Sequence, residues 1–463
     1  LATEWSVEPN GTSYRFKLRR GVQWHGNRGE FKAQDMVDMY RLNMRDETTN
    51  RVIYQPLFKG VEVAGEYEAL VHLKSADSTF LTTFSEQRGV FPFFNPAHFE
   101  ELGTPTMQSG PPVGPYQFKE RSQGQYVRYE RVPYQHWRVK PDFPEFEFRF
   151  INEASTRMAA LLTNEVHISE LPDDLKTQAE RQGFKLIGGK VPTTQVFVAY
   201  YCCHQKDVKD PAAGWAVPNP RLGDVRVRRA LSKGINRDEL NKTFFRGKGV
   251  ATFLTSFDPT RYGWNPEWER RFTADYGFDP EGAKRLLAEA GYSPSNPLVV
   301  NMVLPSELRG GMGGDDVAEA IATGWRALGM VKTEVANSDP NTRKSLTDAL
   351  KLGDHVVVGA TASDQWTGAT SHGSTTPGAL RGREPEIPEA DAIMGQIRTT
   401  LDEKRLDDLW RQLGNVLYEQ ARNAPLFTIP PDVAVNPKVV ADWVYPGSMT
   451  GYWTHVFDIK AAH

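Results

Sequence analysis

The 463-residue chain carries 55 Lys and Arg against 58 Asp and Glu, a net charge of −3 that leaves no basic footprint for nucleic acid or an anionic membrane surface. Its length exceeds the roughly 250–300 residues at which a single core stops growing, so two or three domains are expected. With 39% hydrophobic residues, no window approaching the roughly 18 apolar residues of a membrane span and no basic-then-apolar leader, the sequence reads as a soluble, multi-lobed α/β protein.

Tyr14, Phe16 and Leu18 alternate before Gly21 and predict a half-buried strand; Ala69, Val71 and Leu73 repeat the pattern. Between them, Met36, Val37, Tyr40 and Met44 form one stripe of a helix over 33–45, completing a small α+β unit. The run Gly110-Pro111-Pro112-Val113-Gly114-Pro115 breaks the periodicity and marks a domain boundary. Strands are expected around 116–118 and 126–129 and through Phe146, Phe148 and Phe150. A helix over 154–162 follows, capped by Ser155 or Thr156.

The helix signals are clearest from residue 195 onward. A β-rich run over 196–201 precedes a helix begun by Asp224, and Asn236 with Glu239 forms a capping-box pattern for the next. Asp279-Pro280-Glu281 supplies cap, first-turn proline and acidic first turn, and Gly291 suits the end of that helix. Strands over 298–303, 331–335 and 356–358 alternate with a helix over 316–329, which favours a mixed α/β sheet. A long helix over 402–420 carries Leu406, Leu409, Leu413, Val416 and Leu417 inward before Pro425–Ile429 returns the chain to extended structure.

Signatures of catalysis are absent from the sequence: it has no Gly-x-Ser-x-Gly elbow, phosphate-binding loop, His-Glu-x-x-His or Cys-x-x-Cys. The run Gly310-Gly311-Met312-Gly313-Gly314 lacks the lysine and hydroxyl of a phosphate loop and reads as a connector. Ten histidines fall singly, without metal-ligand spacing, so no metal or cofactor is expected; His25, His136 and His204 read as structural. Asp173-Asp174, Asp315-Asp316 and Asp407-Asp408 read as caps and solvated faces. The adjacent Cys202 and Cys203 are expected to point to opposite sides of a strand end, because a disulfide between neighbours closes a tight ring.

Several ordered blocks carry a family resemblance. Residues 1–43, LATEWSVEPNGTSYRFKLRRGVQWHGNRGEFKAQDMVDMYRLN, are the strongest. Val113-Gly114-Pro115-Tyr116-Gln117-Phe118 follows, then Tyr134, Trp137 and Pro141, then Thr156, Arg157, Ala160, Leu161, Glu165 and Val166. Asp224-Val225-Arg226-Val227-Arg228-Arg229-Ala230-Leu231 with Ile235-Asn236-Arg237-Asp238 completes the set. Together they resemble the family 5 extracellular solute-binding proteins of ABC transporters, the oligopeptide/dipeptide/nickel-binding family.

The resemblance implies a two-lobed periplasmic-binding-protein fold of α/β class, with mixed sheets and an extra small α+β domain. The accessory domain would span 1–112, the first lobe 113–194 plus 426–463, and the second lobe 195–425; strands that relatives place before the opening block are missing. It implies a non-enzymatic, monomeric receptor, periplasmic or extracellular and lipid-anchored in some forms, that delivers a solute to permease subunits. A short peptide is favoured, with oligosaccharides, opine-like conjugates and metal chelates as alternatives. A cleft-carboxylate hydrolase and a regulatory protein reusing the fold are the rival classes.

In peptide-binding relatives a segment after a second-lobe strand supplies an aspartate that pairs with the peptide ammonium. The resemblance puts Asp364 there, with Thr361 and Trp366 beside it and Gly114 and Tyr116 near the lobe crossing. The surroundings of Asp364 depart from the pattern: the usual preceding tryptophan is replaced by Thr361 or Ala362, and no proline follows directly.

Overall fold

A computed structural model describes residues 1–46, 51–81, 94–102, 113–189, 194–304, 314–337, 340–361, 364–370, 384–444 and 455–462. Most of the glycine-rich connector, most of the Pro/Gly boundary run and Ala362 lie outside them.

The amino-terminal unit is a four-stranded antiparallel sheet, β1 (Ala2–Val7), β2 (Ser13–Leu18), β3 (Phe58–Gly65) and β4 (Glu68–Leu73), in order β1-β2-β4-β3. The helices α1 (Ala33–Asn43), α2 (Arg51–Leu57) and α3 (Pro96–Leu102) belong to it. Alternation makes Tyr14, Phe16 and Leu18 of β2 the buried face, and they join Trp24, Phe31, Met36, Met39, Val71 and Phe80 in one core.

The next unit begins with the antiparallel sheet β5 (Tyr116–Ser122), β6 (Tyr126–Arg131) and β7 (Glu145–Arg149). Then come α4 (Ala154–Leu162), β8 (Ile168–Ser169), α5 (Asp173–Arg181) and β9 (Lys185–Gly188). The residue preceding α4 is Glu153, and no side chain caps the helix, so neither Ser155 nor Thr156 serves as the expected cap; both lie inside the first turn. Asp173 and Asp174 fall in the first turn of α5, where the helix dipole favours them.

The large unit is built on a six-stranded mixed sheet of order β11-β15-β10-β14-β12-β13. Its strands are β10 (Thr194–Tyr201), β11 (Val250–Ala251), β12 (Leu298–Leu304), β13 (Val331–Asn337), β14 (His355–Thr361) and β15 (Asn423–Ile429). Around it lie α6 (Val225–Lys233), α7 (Arg237–Phe244), α8 (Pro266–Tyr276), α9 (Pro280–Glu289), α10 (Gly314–Arg326) and α11 (Pro340–Asp348). The short α12 (Gln365–Ala369) and the pair α13 (Pro388–Thr399) and α14 (Glu403–Glu419) complete it. The sequence caps hold: Asp224 accepts from Arg226 N (2.8 Å), Asn236 from Glu239 N (3.2 Å) and Asp279 from Gly282 N (2.8 Å), and Asp402, expected as the first residue of its helix, caps it by accepting from Arg405 N (2.7 Å).

Two cores share this unit. One lies between the sheet and α6, α9 and α10, around Val198, Tyr200, Leu231, Val300 and Trp325. The other is helical and aromatic, with Phe257, Trp268, Trp366, Trp410 and Tyr418 between α8, α13 and α14. Cys202 and Cys203 correct the sequence expectation, because both are buried and joined as a vicinal disulfide. The left-handed backbone of Cys203 (φ 61°) turns the chain, so the alternation of a strand, which would separate the two sulfurs, no longer applies.

After β15 the chain enters β16 (Asp432–Val435), which pairs with β8 and β9, and closes with β17 (Val440–Asp442) and β18 (Lys460–Ala461). The chain therefore passes twice between the large sheet and the smaller one, once after β9 and once between Ile429 and Asp432. The residues that flank the two passages are paired. Thr194 is opposite Ile429, Gly188 is opposite Asp432, and Gly189 N donates to Pro431 O (2.9 Å).

Candidate functional site

The pairs β9/β16 and β10/β15 lie on opposite sides of the double crossing. On the large-sheet side the strand ends carry small polar residues. Gln195 pairs with Thr361 of β14 and Thr428 of β15, and the Thr252 and Thr428 hydroxyls share a 2.6 Å hydrogen bond. The Gln195 side chain accepts from Ser256 N (2.7 Å), so this edge is held rigid by its own polar groups. Thr361 was expected here; Gln195, Thr252 and Thr428 were not. Their common signal is a polar residue at one end of an otherwise apolar strand.

Asp364 is the residue immediately before α12 and caps it: Oδ1 accepts from Thr367 N (3.0 Å) and Oδ2 from Thr367 Oγ1 (2.6 Å). It lines an open depression of about 580 Å³ with Arg261, Tyr262, Gln365 and Asp407. The Gln365 side chain donates to Tyr262 O (2.8 Å) and closes one wall. Asp407 accepts from Gly263 N (2.7 Å) and from Arg411, so both carboxylates of the depression are hydrogen-bond acceptors.

The other expected residues have structural attachments. Trp366 is only 3% exposed, and its indole meets Trp410 edge-on at 6.3 Å within the helical core, so it supports the Asp364 turn from beneath. Tyr116 is buried, donates its hydroxyl to Phe143 O (2.8 Å) and packs edge-on against Phe146. The Gly114 carbonyl accepts from His25 Nε2 (2.8 Å), which ties the amino-terminal unit to the start of β5. Thr361 thus ends β14 while Asp364 and Trp366 begin α12 of the same large unit, and Gly114 and Tyr116 lie at the junction of the two smaller ones.

Beside the double passage is a buried charge cluster that the sequence did not disclose. Asp432 meets Lys176 of α5 (2.7 Å) and Lys248, which lies between α7 and β11 (2.5 Å). Burial would raise the Asp432 carboxyl, but the two ammonium groups outweigh it and hold it below the usual carboxylate range. From the same loop as Lys248, Arg246 reaches Glu180 of α5 (2.6 Å). Among the described residues, no group of three or more His, Cys, Asp or Glu is placed to hold a metal ion. None of the described helices is long and apolar enough to cross a membrane.

Two sheet-based lobes joined by paired strands, with a smaller α+β unit attached, define the class: an α/β protein of periplasmic-binding-protein fold. The chain belongs to the bacterial extracellular solute-binding proteins, family 5, whose model matches residues 1–376. It is 25% identical over 289 residues to the dipeptide-binding protein of Escherichia coli K12, covering 58% of this chain and 51% of that one. With the oligopeptide-binding protein AppA of Bacillus subtilis the identity is 24% over 250 residues, 53% of this chain and 43% of that one. The chain spans about half the length of the curated relatives it matches.

Among solved structures, Bacillus subtilis AppA in complex with a nonapeptide superposes with a TM-score of 0.74 at 18% identity, covering 100% of this chain and 90% of that one. NikA from Brucella suis in complex with Fe(III)-EDTA superposes with a TM-score of 0.76 at 18% identity, covering 100% and 91%.

Proposed function

We propose that this chain is the solute-capturing subunit of an ABC importer and that a short peptide is its ligand. The antiparallel pairs at Thr194–Ile429 and Gly188–Asp432 carry the reading, because two short crossings between sheets are the construction a hinge requires. Contacts available only when the lobes approach would shift the population toward the closed form, which the permease subunits then recognise. The accessory unit would comprise 1–112 and the lobes 113–194 with 426–463 and 195–425. Because β15 pairs with β10 as far as Ile429, the second crossing falls just beyond that nominal boundary.

Asp364 would receive the peptide ammonium. Its cap bonds to Thr367 fix the carboxylate, and each oxygen keeps a lone pair for a cationic partner. Two carboxylates line the depression, but both act as acceptors from N–H or O–H donors. The sequence carries no catalytic signature, and we read the protein as a receptor and not an enzyme. The receptor would act as a monomer outside the cytoplasm, free or lipid-tethered.

The test is a thermal-shift and calorimetry series with tri-alanine, cellobiose, an opine-like amino acid–sugar conjugate and a nickel–histidine chelate. Saturation at a hundredfold excess over Kd stabilises a native state by about 2.7 kcal/mol, an easily read rise in Tm. Tri-alanine is expected to give it. A response only to the sugar, conjugate or chelate replaces the peptide reading, and no response from any of them overturns the receptor reading.

A further inference from the structure

Among the described residues, the amino-terminal unit touches the second lobe at one buried, hydrogen-bonded place. In the turn after β4, Asp77 is 2% exposed and accepts on Oδ1 from Thr79 N (2.9 Å) and Thr79 Oγ1 (2.7 Å). The Asp77 carbonyl accepts from the Tyr14 hydroxyl (3.0 Å), and the Tyr14 ring packs 4.5 Å from that of Phe80. The turn is therefore set by its own unit.

What it presents outward fits the carboxyl end of α13. The last carbonyls of a helix lack intrahelical partners. Ser78 donates to two carbonyls of this last turn, from N to Arg398 O (2.7 Å) and from Oγ to Ile397 O (2.8 Å), the latter also accepting from Thr400 N (3.2 Å). The Asp77 Oδ2 accepts from Arg398 Nε (2.6 Å), with the two side chains only 3% and 15% exposed. A charge-assisted bond in such surroundings is stronger than a neutral one.

The same unit is tied to the first lobe by the chain itself, by His25 on the Gly114 carbonyl and by the Arg19 guanidinium 4.7 Å over the Trp137 ring. A rotation of the lobes about the two crossings would carry it with the first lobe and pull the turn off α13. The Lys248–Asp432 pair, which adjoins a crossing, has no such lever arm.

We propose that the Asp77–Thr79 turn is a latch on lobe closure, so that ligand affinity is set in part outside the cleft. The proposal rests on the two-lobed receptor reading. Breaking the latch would favour the open form and weaken every ligand by the same factor, because apparent affinity scales with the population of the binding-competent state.

Small-angle scattering of the unliganded full chain tests it with the wild type, Arg398→Met and Ser78→Ala. Arg398→Met is expected to move the closed-to-open ratio about tenfold toward open, seen as a larger radius of gyration, with a smaller shift in the same direction for Ser78→Ala. Equal radii for all three proteins overturn the latch. Should Arg398→Met fail to fold, Ser78→Ala, which loses a hydroxyl alone, decides by its own radius. Failure of the receptor reading has a different signature: wild-type protein that binds no solute, whatever the radii show.

Discussion

The guanidinium of Arg228 donates from Nη2 (2.7 Å) and Nε (3.1 Å) to the main-chain carbonyl of Gln420, the residue that ends α14. It also reaches the carbonyls of Ala421, Leu222 and Gly223, and it is 3% exposed. Burial pushes its pKa down to about 10, so it remains cationic at neutral pH among acceptors that are all neutral. One side chain thus holds α6, the turn before it and the end of α14 at a single point. Arg228→Met would leave those carbonyls buried without their donor, and is expected to destabilise the protein by about 3–5 kcal/mol. Urea unfolding measures it, and a loss below about 1 kcal/mol would contradict the assignment.

Asp432 makes stability acid-sensitive. Its folded pKa is depressed, so the stabilisation it contributes is present above the ordinary aspartate value of about 3.9 and lost as pH falls through the folded one. Asp432→Asn is expected to cost about 3 kcal/mol at pH 7, because Lys176 is left buried with only the longer contact to Asp173 (3.3 Å). The gap between variant and wild type should narrow below pH 4. A gap independent of pH would refute the ionised pair.

His136 titrates in the opposite chemical sense. Its Nε2–H donates to Val113 O (3.0 Å) while Nδ1 accepts from Arg138 N (3.2 Å), which fixes the neutral tautomer. Burial lowers its pKa, with the Arg138 charge assisting. Since the unfolded chain then binds the proton more readily, stability should fall as pH drops below about 6.5. An NMR titration of the His136 ring is expected to show a midpoint below that value.

Gly263 has φ +70°, and a Cβ there would overlap the main chain of Trp410 and Arg411 on α14. Its own N–H donates to Asp407 (2.7 Å). Gly263→Ala combines backbone strain with overpacking and is expected to cost about 2–3 kcal/mol, read as a lowered urea midpoint.

Asp364 combines a cap with the proposed peptide contact, and two substitutions separate them. Asparagine is as good a cap as aspartate, whereas alanine costs about 1 kcal/mol. Asp364→Asn should therefore keep the wild-type Tm yet weaken tri-alanine at least tenfold by calorimetry, while Asp364→Ala loses both. Unchanged affinity in the asparagine variant would confine Asp364 to capping.

Much of the second lobe was legible from local pattern. Asp224, Asn236 and Asp279 announce their helices because a cap is chemistry within a few residues, and Tyr14, Phe16 and Leu18 show a buried face because strand period is a local property. Less was legible at the candidate site. Asp364 and Thr361 could be placed near one strand end, but the burial of Trp366 against Trp410 depends on α14, which lies well downstream.

By itself the sequence determined the element types, the mixed α/β class and, through its ordered blocks, the two-lobed solute-binding family. The tertiary structure alone decided which distant groups share a bond: Arg228 with the end of α14, Asp432 with lysines of both lobes, and Asp77 with the end of α13. Sequence periodicity tells which face of an element avoids water. Which donor meets which carbonyl is fixed only when elements far apart in the chain pack, because a hydrogen bond is satisfied by position in space and not by spacing along the backbone.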